Sequence, residues 1–169
     1  MRYSIRASLM VMLLAATTAF AEPPKAVGTP ADIAAITRVT EDFQAALKSK
    51  DVVKLSSLML HSNILWSSPA SDQQVAKMRK EVDPNFDGVR AGGFNDFVLF
   101  VKNDKKAIEE RFYNVKITQD RDIAWVMFDY EFVSDGKVGN YGVETWQMVK
   151  RGGLWKIFAV TWSTNFPDK

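Results

Sequence analysis

The chain has 169 residues with no cysteine, a single histidine, and 22 basic against 20 acidic side chains. Disulfide staples, thiolate chemistry and a multi-histidine metal site are thereby excluded. The basic excess is Arg2 and Arg6 alone, and the densest later cluster, Lys102, Lys105 and Lys106, is followed directly by Glu109 and Glu110. No one-sided basic surplus of the kind that nucleic acid or an anionic membrane selects remains, so neither is expected as a partner.

Taken from the first residue, Arg2 and Arg6 precede a short apolar run from Leu9 to Ala16, and Ala19-Phe20-Ala21 supplies a small-residue cleavage signal. Residues 1–21 therefore read as a signal peptide, too short to span a bilayer, and the mature chain is expected in the periplasm or outside the cell. Residues 22–28, with Pro23 and Pro24, read as a flexible tether, and residues 29–169 as one domain large enough to bury a core. Once the signal is cleaved, no membrane association is expected.

Thr29 can cap a helix, Pro30 suits its first position, and Asp32 meets the positive end of its dipole. Ile33, Ile36, Val39, Phe43, Ala46 and Leu47 then recur at helical spacing. Asp51 opens a short second helix through Val52, Leu55 and Leu58. Ile64-Leu65-Trp66 reads as a strand, Ser71 to Glu81 as an amphipathic helix with Val75 and Met78 inward, and Phe94 to about Lys102 as another helix. His61 falls at a helix end, where a cap or surface role is expected.

Beyond Lys102 the period changes. Ala107–Thr118, Ile123–Val133, Val138–Lys150 and Leu154–Ser163 are β-branched or aromatic and are divided by the turn signals Gln119-Asp120-Arg121, Asp135-Gly136 and Gly152-Gly153. Helices followed by an antiparallel meander make an α+β layer fold. Two-residue turns at both glycine signals would put Trp125, Met127, Asp129, Glu144, Trp146, Met148, Trp155, Ile157 and Thr161 on one face. Val126, Phe128, Tyr130, Val143, Thr145, Phe158, Val160 and Trp162 would then occupy the other. Both faces are apolar, so each needs a cover. Helices cover one, and a second copy of the chain is expected to cover the other, making a homodimer, with the segment from Ser71 to Lys102 as the alternative cover.

The long first helix ending near Lys48-Ser49-Lys50-Asp51, the short helix and strand from Val52 to Trp66, and the closing T-x-x-x-x-K…G-G-x-W-K-I…W-S pattern from Thr145 to Ser163 resemble the nuclear transport factor 2-like superfamily, in particular its SnoaL-like members. The resemblance implies a cone in which a curved antiparallel sheet carries the N-terminal helices on its concave face, with a pocket between them and pairing through the outer sheet face. It also bears on chemistry. Ketosteroid isomerases of this fold use a helix tyrosine and a strand-end aspartate, where this chain has Phe43 and Trp66. Other SnoaL-like proteins place histidines on the last strand, where Ala159 and Thr161 stand here. The two histidines of scytalone dehydratase-like members cannot come from a chain whose only histidine is His61.

The expected function is therefore binding of an apolar or aromatic small molecule, with no cofactor and no metal. Phe43, Trp66, Phe97, Trp125, Trp146 and Thr161 are the expected lining, with Asp129 and Glu144 as polar anchors. Two alternatives stand beside it. One is an isomerase, dehydratase or hydrolase using Glu144 or Asp129 as a carboxyl held in apolar surroundings. The other is a dimeric interaction module without a ligand.

Overall fold

The computed structural model of the chain describes residues 28–89 and 92–168. The expected signal peptide, and all of the expected tether except Gly28, lie outside the described residues. Among the described residues no helix is long and apolar enough to cross a membrane.

Four helices and five strands run in the expected order: α1 (Pro30–Ser49), α2 (Val52–Ser57), β1 (Leu65–Ser67), α3 (Asp72–Glu81), α4 (Phe94–Asn103), β2 (Ile108–Asp120), β3 (Ile123–Ser134), β4 (Lys137–Arg151) and β5 (Leu154–Trp162). The sheet order is β1-β5-β4-β3-β2. The last four strands form the antiparallel meander, while β1 joins its end parallel to β5, so the sheet is mixed rather than wholly antiparallel.

Local chemistry fixes α1 at both ends. Thr29 Oγ1 accepts from the Asp32 amide at 3.1 Å, and Lys50 closes the helix in the left-handed region at φ 57°. Asp32 then binds the sheet, accepting from Lys150 Nζ at 2.6 Å and from the Trp155 indole at 3.0 Å. These bonds hold its carboxyl down at about 2, the lysine contact first. The inner stripe of α1, Ile36, Val39, Phe43, Ala46 and Leu47, is buried against the sheet. The core also takes in Phe128, Trp146, Met148 and Ile157, each fully buried; a large apolar side chain in such a place stabilises by roughly 1.5–3 kcal/mol. By contrast α3, expected to turn Val75 and Met78 inward, buries no residue and leaves both half-exposed.

Both hairpin turns have two residues, with positive φ at Asp135, Gly136, Gly152 and Gly153. The register beyond each turn differs from simple counting because each strand pair contains a bulge. Between β3 and β4 it falls at Phe132/Val133, where Val133 pairs with Val138 and Phe132 with Asn140, so Gly139 is the extra residue. Between β4 and β5 it falls at Gln147/Met148, where Phe158 is extra. Each bulge exchanges the faces beyond it. Val126, Phe128 and Tyr130 therefore share the helix-covered face with Glu144, Trp146 and Met148, and Trp162 lies opposite Glu144. Trp125, Met127, Asp129 and Thr161 turn to the outer face, contrary to the expected grouping.

Candidate functional site

The helices leave a hollow at the end of the sheet farthest from the β4–β5 turn. Its inner chamber, about 280 Å³, is walled by aromatic rings of β1, α4, β3 and β5, and by Glu110 of β2 and Asn140 and Glu144 of β4. Its outer chamber, about 490 Å³, continues past Ser67, Gln74, Gly93 and Asp96 toward Phe166. Trp66, Phe97, Phe100 and Trp162 line both, making one connected cleft.

Each wall follows from its element. The stripe of α4 buries Phe94 and Val101 and leaves Phe97 and Phe100 over the cleft. Trp66 on β1 stands with its centroid 4.8 Å from Phe97 and 5.7 Å from Trp162, the latter edge-on. Phe100 reaches Phe132 at 6.0 Å. Such offset and edge-on pairs hold rings in place beyond what burial alone supplies. Ser67 Oγ is buried and meets no hydrogen-bond partner among the described residues.

The polar floor contains Glu110, Tyr130, Asn140 and Glu144. Glu144 is only 4 % exposed. One of its oxygens accepts from the Trp146 indole at 2.5 Å, and the other meets no hydrogen-bond partner among the described residues. Burial pushes its carboxyl up to about 7, against the indole bond, which pulls it down. Glu110, half-buried on the neighbouring side of β3, makes no side-chain hydrogen bond or ion pair among the described residues. Burial first, and the charge of Glu144 second, hold it well above the usual carboxylate range. Tyr130 lies on the strand between them. Its hydroxyl sits 2.9 Å from the Ser163 carbonyl oxygen and 3.0 Å from Asn140 Oδ1, either of which accepts its proton. Burial, with both glutamates adding to it, raises Tyr130 to about 12. Gly142 makes this seam possible, because a Cβ there would collide with the Ser163 backbone.

Two carboxyls that share an apolar chamber do not ionise together easily, so each holds its proton to a higher pH than it would alone. Among the described residues no lysine, arginine or histidine lines either chamber, and no group of three or more His, Cys, Asp or Glu is placed to hold a metal ion.

Of the residues named from sequence, Trp66, Phe97 and Glu144 meet at the cleft. Phe43 and Trp146 are one layer deeper. The Phe43 ring stacks on Phe97 at 6.4 Å and packs 5.1 Å from Trp146, whose indole holds Glu144. Trp125, Asp129 and Thr161 are elsewhere: Trp125 is 48 % exposed on the outer face, Asp129 accepts from Asn114 Nδ2 there at 2.6 Å, and Thr161 pairs with the Thr145 hydroxyl at 2.8 Å. The bulges at Gly139 and Phe158 account for all three. Glu110, Phe100 and Phe132 are not among the residues named for the pocket, and simple counting puts Tyr130 and Trp162 on the opposite face. A signal for Glu110 exists, since it falls in phase with Ile108 and Phe112 on the apolar side of an alternating strand, while Glu109 and Arg111 occupy the polar side.

No protein-family model matches the chain, and no curated protein matches it in sequence. Solved structures do match it in shape. An NTF2-like protein from Cytophaga hutchinsonii superposes with a TM-score of 0.58 at 15% identity, over 82% of this chain and 100% of that one. A protein from Streptomyces avermitilis, assigned to the NTF2-like family and proposed as a dehydratase, gives 0.60 at 18% identity over 82% and 100%. A protein of unknown function with a cystatin-like fold from Nostoc punctiforme gives 0.57 at 16% identity over 84% and 96%. The fold is thus the NTF2-like cone, in agreement with the expected α+β architecture.

Proposed function

We propose that the chain is a small-molecule-binding domain that takes an apolar, ring-bearing ligand into the aromatic cleft and anchors a polar group of it on Glu110 and Glu144. One observation carries this reading: the connected hollow is walled by rings yet floored by a nearly fully buried carboxyl with an oxygen free to bond. The open cleft weighs against a module packed solid with its own side chains. Native mass spectrometry of protein purified from its own cell tests the reading. A retained molecule of small mass is expected, and Trp66→Ala should release it; an empty wild-type chain that also gains no thermal stability from any compound in an aromatic library would overturn it.

A second reading has its own support, two carboxyls raised by burial at the floor of one cleft. Such a pair suits proton transfer in an isomerase or a dehydratase, the latter proposed for the Streptomyces avermitilis protein of the same fold. Under it Glu144→Gln keeps the ligand and loses turnover. The residues from 1 to 21 support export, and the apolar outer sheet face supports a homodimer.

A further inference from the structure

We propose that the inner chamber is a binding site for an organic cation, an ammonium group on an apolar body, held between the Glu110 and Glu144 carboxyls and the rings of Trp66, Phe97, Phe100 and Trp162. This deepens, and rests on, the small-molecule reading of the same cleft. Three independent features converge on it.

The first is charge. The inner chamber holds two carboxyls and the outer chamber adds Asp96, while no cationic side chain lines either among the described residues. Neither Glu110 nor Glu144 belongs to any ion pair found in the described residues; the charges that do pair, such as Lys48 with Glu109, sit outside. A buried carboxylate without a counter-charge must take a proton or a cation.

The second is the bonding of Glu144. It is only 4 % exposed, the Trp146 indole occupies one oxygen, and the other opens on the chamber without a protein partner among the described residues. The acid is oriented from behind and left unmet in front.

The third is the wall. Trp66 and Trp162 stand edge to face at 5.7 Å, and Phe97 and Phe100 follow at 4.8 Å and 6.3 Å along the same row. Aromatic faces attract a cation whose charge is spread over alkyl carbons, most strongly where water is excluded. A hard metal ion would instead require six or so oxygen ligands, and rings occupy most of those positions here. The titratable groups facing the chamber are Glu110 from β2, Tyr130 from β3 and Glu144 from β4; α4, β1 and β5 present rings only.

The test compares benzyltrimethylammonium with neopentylbenzene, its uncharged isostere, by calorimetric titration of the full chain in phosphate buffer. At about pH 8 the cation is expected to bind at least about tenfold more tightly, and the gap should narrow as the pH falls below about 7 and protons compete for the carboxyls. Glu110→Gln and Glu144→Gln should each close the gap while neopentylbenzene binding persists. Equal binding of the two probes to the wild-type chain at pH 8 would overturn the cation proposal and leave the apolar cleft standing. A cation preference unchanged in both variants, or independent of pH, would place its site elsewhere and overturn the proposal as well. Binding of neither probe would remove the small-molecule reading together with it.

Discussion

Glu144 is the residue whose surroundings disagree most with its chemistry. A carboxyl held up at about 7 in the folded chain, against 4.5 as a free group, keeps its proton longer when folded than when unfolded. Its contribution to stability is therefore complete below about pH 4.5 and is lost as the pH rises through about 7. Glu110, raised by burial and by Glu144 itself, adds a loss of the same sign. Thermal melts at pH 5 and pH 8 should show the wild-type chain less stable at the higher pH, by an amount on the order of a few kcal/mol. Glu144→Gln should flatten that difference and melt higher than wild type at pH 8. A wild-type melting temperature independent of pH across this range would contradict the burial of an unpaired acid.

At the scale of elements, the N-terminus of α1 is latched to the β4–β5 hairpin through Asp32, Lys150 and Trp155. Because these bonds lower the Asp32 carboxyl from 3.8 to about 2, the latch stabilises fully above pH 3.8 and fades as the pH falls toward 2. Asp32→Asn should lower the melting temperature at neutral pH and remove part of the acid-induced loss, measured by circular dichroism. Elements of this kind are plainly legible in the sequence. Thr29, Pro30 and Asp32 announce the start of α1, and Asp135-Gly136 and Gly152-Gly153 announce two hairpins with their two-residue turns. Faces are less legible, because a bulge is weakly marked: Gly139 is the kind of residue that accompanies one but shares its strand with Gly142, and Phe158 among other aromatics looks like an ordinary member of the alternation. Each moved a set of side chains through the sheet. Asp129, a plausible acid by counting, stands outside, and Tyr130, its neighbour, stands in the cleft. The site was thus half readable: Trp66, Phe97 and Glu144 follow from local pattern, whereas Glu110 and Trp162 depend on which strands become neighbours.

For the molecule as a whole, the outer sheet face carries Tyr113, Val115, Trp125, Met127, Tyr141 and Val143, each between 40% and 48% exposed. This apolar surface, interrupted by Asp129, Thr145 and Thr161, suits the proposed homodimer, in which a second copy related by a two-fold axis covers both surfaces at once. Sedimentation at micromolar concentration should give a dimer, with Trp125→Lys shifting it to monomer while leaving binding in the cleft unaltered; a monomeric wild type would reject the pairing. The parallel seam between β1 and β5 has another consequence. It brings Trp66, from the first half of the chain, against Trp162, from the last strand, so the two rings that line both chambers meet only once β5 has been made. A nascent or truncated chain has no cleft to fill, and any cargo must be acquired after folding, in whatever compartment the finished protein occupies.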